Sequence, residues 1–262
     1  MVSWLSSVLL HGPRSFWYSN MMLVIPAIDL KEGRCVRLLQ GREKDATVYS
    51  DDPAATAIKW ESMGAKLLHV VDLDGAFTGS QKNLESVMKI RKAISIDIEV
   101  GGGIRDLSRI DQLLKGGINR VILGTVAVEN PQLVQDACAK YPGMVMVGID
   151  AKNGDVAVKG WVEVTAVKAK DLAVRMQNYG CAGIIYTDIA KDGMLSGPNI
   201  EAVRDMVTSL NISVIASGGI SSLDDIRNLA RVEGLWGAIT GKAIYSEALD
   251  LREAIRISEE EC

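Results

Sequence analysis

The sequence predicts an α/β chain folded as one (β/α)8 barrel with a two-fold half-barrel duplication, and three observations predict it. From Leu23 onward, eight short β-rich runs alternate with eight helical stretches, with no Pro- or Ser-rich linker between them. Several strand candidates (VIPAI, LLHVV, VMVGI, VIA) are unbroken apolar runs, as expected of parallel strands covered on both faces. The chain also repeats itself: Val70–Asn83 aligns with Tyr186–Asn199, and Glu99–Ile110 with Ile215–Ile226. Asp72 and Asp188, Asn83 and Asn199, and Gly102 and Gly218 each stand 116 residues apart, a period of half a barrel and far too long for a solenoid repeat. The 262 residues match the length of about 250 usual for such a barrel. An open doubly wound sheet is the alternative.

In chain order, the first strand is Leu23–Asp29, an apolar run closed by an aspartate. Pro53 opens the helix Pro53–Met63 and Gly64 follows it, a first-turn residue and a stop residue in their usual places. The strand Leu67–Asp72 leads to the helix Asn83–Ala93. Ile96–Val100 leads to Asp106–Lys115, stopped by Gly116, and Arg120–Gly124 to Pro131–Ala139, which opens on Pro131. Val145–Asp150 leads to Lys168–Tyr179, stopped by Gly180. The last three pairs are Gly183–Asp188 with Asn199–Ser209, Ser213–Ser217 with Ser222–Ala230, and Trp236–Gly241 with Leu249–Ile257. Met1–Asn20 does not share this pattern. Its apolar run is short and has no basic residue ahead of it, so it reads poorly as a secretory signal. It is expected to be a disordered or non-native extension, with the single barrel filling residues 21–262.

Composition narrows the function. A net charge of −4 argues against nucleic acid as the main partner, and no run of about 18 apolar residues exists to span a membrane. Cys35, Cys138, Cys181 and Cys262 form no CxxC pair, which reads as reduced thiols in a cytoplasmic protein. His11 and His69 lie far apart, and no zinc or calcium motif is present. No metal or cofactor is expected, the chain is taken as a monomer, and carboxylates are expected to do any acid/base work.

Functional groups of such a barrel gather at the C-terminal strand ends. Glycine-rich turns stand there: Gly101, Gly102 and Gly103 after the third strand, Gly124 and Thr125 after the fourth, Ser217, Gly218 and Gly219 after the seventh, and Gly241 and Lys242 after the eighth. Glycine lets backbone amides approach an anion closely. Two symmetric turn pairs predict two phosphate sites on opposite sides of the mouth, with Arg105 and Lys242 adding charge. Each glycine could instead serve only a tight turn. Asp29 and Asp150 end the first and fifth strands, opposite each other over an apolar core where burial can raise a carboxyl's pKa. Two opposed carboxylates between two phosphate sites suit acid/base chemistry on the middle of a bisphosphorylated small molecule. Thr187, Asp188 and Asp192 are second-rank candidates, Asp72 and Asp74 weaker ones, and His69 reads as a core histidine. Segments Gln40–Asp51, Lys152–Glu163 and Ala190–Pro198 read as loops long enough to close over a ligand. Trp161 could stack on an imidazole ring or pack in the core.

The stretches IPAIDLKEGRCVRLLQG, HVVDLDGA, EVGGGIR, GIDAKNG, YTDIAKDGMLSGPN, SGGISS and GKAIY resemble, in order and from Leu23 to Ile257, the phosphoribosylformimino-aminoimidazole carboxamide ribotide isomerases of histidine biosynthesis. The resemblance implies a (β/α)8 barrel and an Amadori rearrangement of an aminoaldose ribotide to its ketose. It implies catalytic roles for Asp29, as base, and Asp150, as acid, and places Thr187 and Asp192 at family positions. Two alternatives stay open: an isomerase that also accepts phosphoribosyl anthranilate, and the sister cyclase subunit of imidazole glycerol phosphate synthase. PAIDL and GMLSGPN favour the isomerase over the cyclase.

Overall fold

The computed structural model describes residues 21–39, 42–79 and 82–261; the expectation for Met1–Asn20 lies outside them. The first half of the chain runs β1 (Leu23–Lys31), β2 (Arg34–Leu39), β3 (Arg42–Ser50), α1 (Pro53–Ser62), β4 (Leu67–Asp72), α2 (Leu73–Thr78), α3 (Leu84–Ala93), β5 (Asp97–Gly101), α4 (Leu107–Lys115), β6 (Arg120–Leu123), α5 (Val126–Glu129) and α6 (Pro131–Lys140). The second half runs β7 (Val145–Lys152), β8 (Asp155–Val158), β9 (Glu163–Lys168), α7 (Ala169–Asn178), β10 (Gly183–Asp188), α8 (Ile200–Thr208), β11 (Ser213–Ser217), α9 (Leu223–Ala230), β12 (Leu235–Thr240), α10 (Lys242–Tyr245) and α11 (Leu251–Glu260).

Eight of these strands pair in parallel in the order β1, β4, β5, β6, β7, β10, β11, β12, and β12 pairs with β1 to close the barrel. Alternate residues of each strand face opposite ways. Ile25, Ala27, Leu67, Ile122, Met146, Ile185, Ile215 and Ile239 pack together as an inner cluster, while Ile28, Leu68, Ile98, Leu123 and Ile149 pack into the outer core that includes the helices. Burying each such Ile or Leu contributes about 1.5–3 kcal/mol, and the closed ring leaves no free edge among its own strands. Helix starts follow the local chemistry. Asp52 and Asp106 accept backbone N–H bonds at the starts of α1 and α4, and Ser222 and Asp225 form a reciprocal cap on α9.

Two expected loops are strands instead. Within Gln40–Asp51, residues 42–50 form β3, paired with β2. Within Lys152–Glu163 lies β8, paired with β7. Each of these strands follows a two-residue turn, after β1 ahead of β2 and after β7 ahead of β8. Glu32 and Gly33 have φ of 50° and 77°, and Asn153 and Gly154 have 53° and 83°; consecutive positive φ values make the tight turn that suits a hairpin. The strands returning from them pair Asp29 with Val36 and Asp150 with Ala157. Ala190–Pro198 remains without helix or strand. The short helices α2, α5 and α10, of four to six residues, are too brief to carry a readable period.

Candidate active site

A cavity of about 240 Å³ opens at the C-terminal ends of the barrel strands. Its lining includes Asp29, Arg37, Asp150, Trp161, Thr187 and Asp192, together with His69, Arg105, Gly102, Gly103, Gly124, Thr125 and Ser217. A smaller adjoining cavity of about 20 Å³ is lined by Gly218, Gly219, Gly241 and Lys242, and shares Arg37, Asp192 and Ser217 with the first. The structure thus gathers the predicted catalytic and phosphate-binding residues around one mouth, but not the lesser candidates Asp72, Asp74 and Asp188.

Asp29 on β1 and Asp150 on β7 lie four strands apart either way around the ring, diametrically opposite. Their surroundings differ. The hairpin carries Arg37 back over the mouth, and its guanidinium meets the Asp29 carboxylate at 2.8 Å, with both side chains mostly shielded from solvent. Gly241 leaves room for Arg37 in this position; a Cβ there would overlap the guanidinium and push it aside. Eight residues beyond Asp150 stands Val158, so Asp150 has no matching arginine. Instead the Trp161 and Thr187 side chains hydrogen-bond it. Burial pushes the Asp150 carboxyl above the usual carboxylate range, while those two bonds and nearby His69 pull it partly back. Burial also raises Asp192; Arg37 opposes the shift, and the charges of Asp29 and Asp150 add to it.

The glycine turns have a structural side. Gly102 and Gly218 both hold positive φ, 94° and 93°. A Cβ on either would collide with a backbone carbonyl, that of Asp72 or of Asp188. Those aspartates are loop clamps. Asp72 is fully buried and accepts from Gly75 N, Lys82 N and the Asn83 side chain at 2.6 Å. Asp188 accepts from Ala190 N and, at 2.8 Å, from the Asn199 side chain. Asp74 accepts from Glu32 N and Asn83. None of the three lines the cavity; the carboxylates of Asp188, a second-rank candidate, and of Asp72 and Asp74, weaker ones, are engaged in holding loops. The helices α5 and α10, which follow the fourth and eighth barrel strands, have no side-chain cap, whereas α4 and α9 are capped. Lys242 donates to the Gly193 carbonyl at 2.8 Å, tying the start of α10 to the loop after β10.

Sequence reasoning missed two features. Arg37 lies on β2, a strand that the apolar pattern does not mark, and the Glu32–Gly33 turn ahead of it is the one local signal. His69, taken for a core residue, is buried but also lines the cavity, with its Nδ1 2.7 Å from a carboxylate oxygen of Glu99. Among the described residues no three His, Cys, Asp or Glu side chains converge as a metal site would, and no helix is long and apolar enough to cross a membrane.

The chain matches the histidine biosynthesis protein family over residues 23–250. Curated relatives carry the name 1-(5-phosphoribosyl)-5-((5-phosphoribosylamino)methylideneamino) imidazole-4-carboxamide isomerase. The one from Geotalea daltonii is 60% identical over 239 residues, covering 90% of this chain and 98% of the relative. That from Thermodesulfovibrio yellowstonii is 59% identical over 236 residues, covering 90% and 97%. That from Geobacter sulfurreducens is 59% identical over 239 residues, covering 90% and 98%. With the family match spanning nearly the whole barrel and these relatives aligned almost end to end, the chain belongs to the histidine biosynthesis protein family.

Proposed function

We infer that the chain is an aldose–ketose isomerase that converts phosphoribosylformimino-aminoimidazole carboxamide ribotide to its ribulosyl isomer by an Amadori rearrangement. The observation that carries this reading is the pair of opposed aspartates with unlike surroundings in one cavity. Asp29, ion-paired with Arg37, is a carboxylate ready to accept a proton. Asp150, whose carboxyl burial pushes above the usual carboxylate range, holds its proton more tightly and is suited to give one.

The chemistry needs one donor and one acceptor. Asp150 gives its proton to the ribose ring oxygen, the C1′–O bond breaks, and the exocyclic nitrogen's lone pair forms a protonated Schiff base. Asp29 removes the proton on C2′, and that electron pair moves to neutralise the iminium as an enol-amine. C1′ then gains a proton as the enol O–H gives up its own, leaving the C2′ ketone. No net oxidation or reduction of the molecule occurs. Proton transfer by a placed carboxyl is worth roughly 10²- to 10⁴-fold per step. D29N and D150N are each expected to lower kcat by at least about 10²-fold with substrate affinity nearly intact, in a turnover assay with the purified ribotide. Near wild-type kcat in either variant would remove that residue from its role. Asp192, also raised by burial, is a second acid in reach of the same cavity; a D192N loss equal to that of D29N, with D150N active, would transfer the acid's role to it.

The glycine turns and uncapped short helices support one phosphate at the β5/β6 side, near Arg105, and one at the β11/β12 side, near Lys242. The same reading takes the chain to work as a monomer in the cytoplasm on a small molecule, independent of nucleic acid and membrane; sedimentation measures the first point. Turnover of phosphoribosyl anthranilate would add the second substrate, and a requirement for a glutaminase partner and ammonia would replace the isomerase with the cyclase.

A further inference from the structure

Inside the barrel one carboxylate is out of keeping with its neighbours. Glu99 on β5 is fully buried, at 0% exposure. In register it lies between His69 on β4 and Arg120 on β6, in a barrel whose inner cluster is otherwise Ile, Leu, Met and Ala. Arg120 is turned onto the Trp236 ring, 4.8 Å from its centroid. One oxygen of Glu99 meets His69 Nδ1 at 2.7 Å, and the other has no hydrogen bond. Burying an ion costs several kcal/mol, and a well-packed apolar residue would often serve stability as well or better. The pair therefore asks for a reason other than stability.

Its place supplies one. With Nδ1 engaged, the His69 ring leaves Nε2 for the cavity it lines, in company with Asp150 and Thr187. His69 is close enough to Asp150 to act on that carboxyl electrostatically. A histidine with an unrestrained ring could offer either nitrogen; a partner on one nitrogen decides which the ligand meets.

We propose that Glu99 is a positioning residue of the isomerase: its carboxylate accepts the Nδ1–H of His69, fixes the ring's tautomer and plane, and so presents Nε2 to a hydroxyl of the reacting sugar beside Asp150. The inference rests on the isomerase reading for its kinetics but not for its tautomer. The chain has two histidines, His11 and His69, so the ¹⁵N-histidine spectrum of the full chain resolves to two rings, and H69N assigns them. The His69 ring is expected to carry a proton on Nδ1, with or without substrate. A wild-type ring with bare Nδ1 overturns the proposal at once.

In turnover, E99L is expected to lower kcat about tenfold or more with KM within about threefold, and E99Q, which keeps an acceptor, to recover most of that loss. The double variant H69N/E99L should be no slower than H69N alone, because both changes act through one ring. E99L that folds and keeps wild-type kcat, or losses that multiply in the double variant, overturns the role. Should E99L fail to fold, the ring spectra of wild type and E99Q decide: both must show protonated Nδ1. A wild type with that tautomer but no turnover of the ribotide sinks the isomerase reading instead.

Discussion

Asp29 and Asp150 occupy equivalent places in the two half-barrels, yet one side chain makes them different chemical groups. Arg37 reaches Asp29 at 2.8 Å, while the matching position in the second half is Val158. Asp150 keeps hydrogen-bond partners that favour its ionised form, Trp161 and Thr187, but burial outweighs them and its pKa stays raised. An acid must hold its proton, so activity is lost as pH rises through that raised value. W161F removes one bond to the ionised form and pushes the value higher still. The alkaline limb of kcat/KM is therefore expected to move to higher pH in W161F, as measured on the ribotide across a pH series. A limb that stays or moves down would assign it to another group, with Asp192 the next in line.

At the scale of elements, the duplication is visible as hardware rather than as catalysis. Each half carries a hairpin after its first strand and an Asp–Asn clamp beneath a glycine turn. The clamps are not equal. Asn83 is buried and donates to Asp72 at 2.6 Å and Asp74 at 2.9 Å while accepting from Gly33 N at 2.8 Å. Through that last bond it fastens the β1–β2 hairpin, and hence the strand that delivers Arg37. Asn199 donates to Asp188 alone and caps α8 through Ala202 N at 3.2 Å. N83A is expected to cost about 2–4 kcal/mol and N199A about 1–2 kcal/mol, read from urea denaturation midpoints at constant slope. Equal costs would mean that the buried carboxylates find substitute partners.

For the whole molecule, closure of the ring turns two distant sequence repeats into two loop pairs facing each other across one mouth. One ligand with a phosphate at each end would bridge them. Inorganic phosphate is expected to compete with the ribotide, and a crystal grown in sulfate is expected to show two anions, one by Gly103 and Thr125 and one by Gly219 and Lys242. An anion at only one loop pair, with side chains blocking the other, would favour a ligand with a single phosphate. The Gly102, Gly103 and Thr125 side belongs to the central cavity of about 240 Å³, whereas Gly218, Gly219, Gly241 and Lys242 line an adjoining space of about 20 Å³.

The eight-fold alternation, the half-barrel period and the two strand-end aspartates are legible in the chain. Each is written in local signals: apolar runs, Pro and Gly at helix ends, and motifs repeated at a fixed offset. Asn153–Gly154 is a hairpin signal of the same local kind, although the length of Lys152–Glu163 favours a loop. Pairings between distant residues depend instead on the closed fold. Nothing near Arg37 in the chain says that a hairpin will fold it onto Asp29 across a bare Gly241. Nothing near Glu99 says that its partner is His69, thirty residues earlier. Periodicity reports which face of a strand is buried; it does not report what a buried charge meets there. That is settled by strand register, which is fixed only when the ring closes.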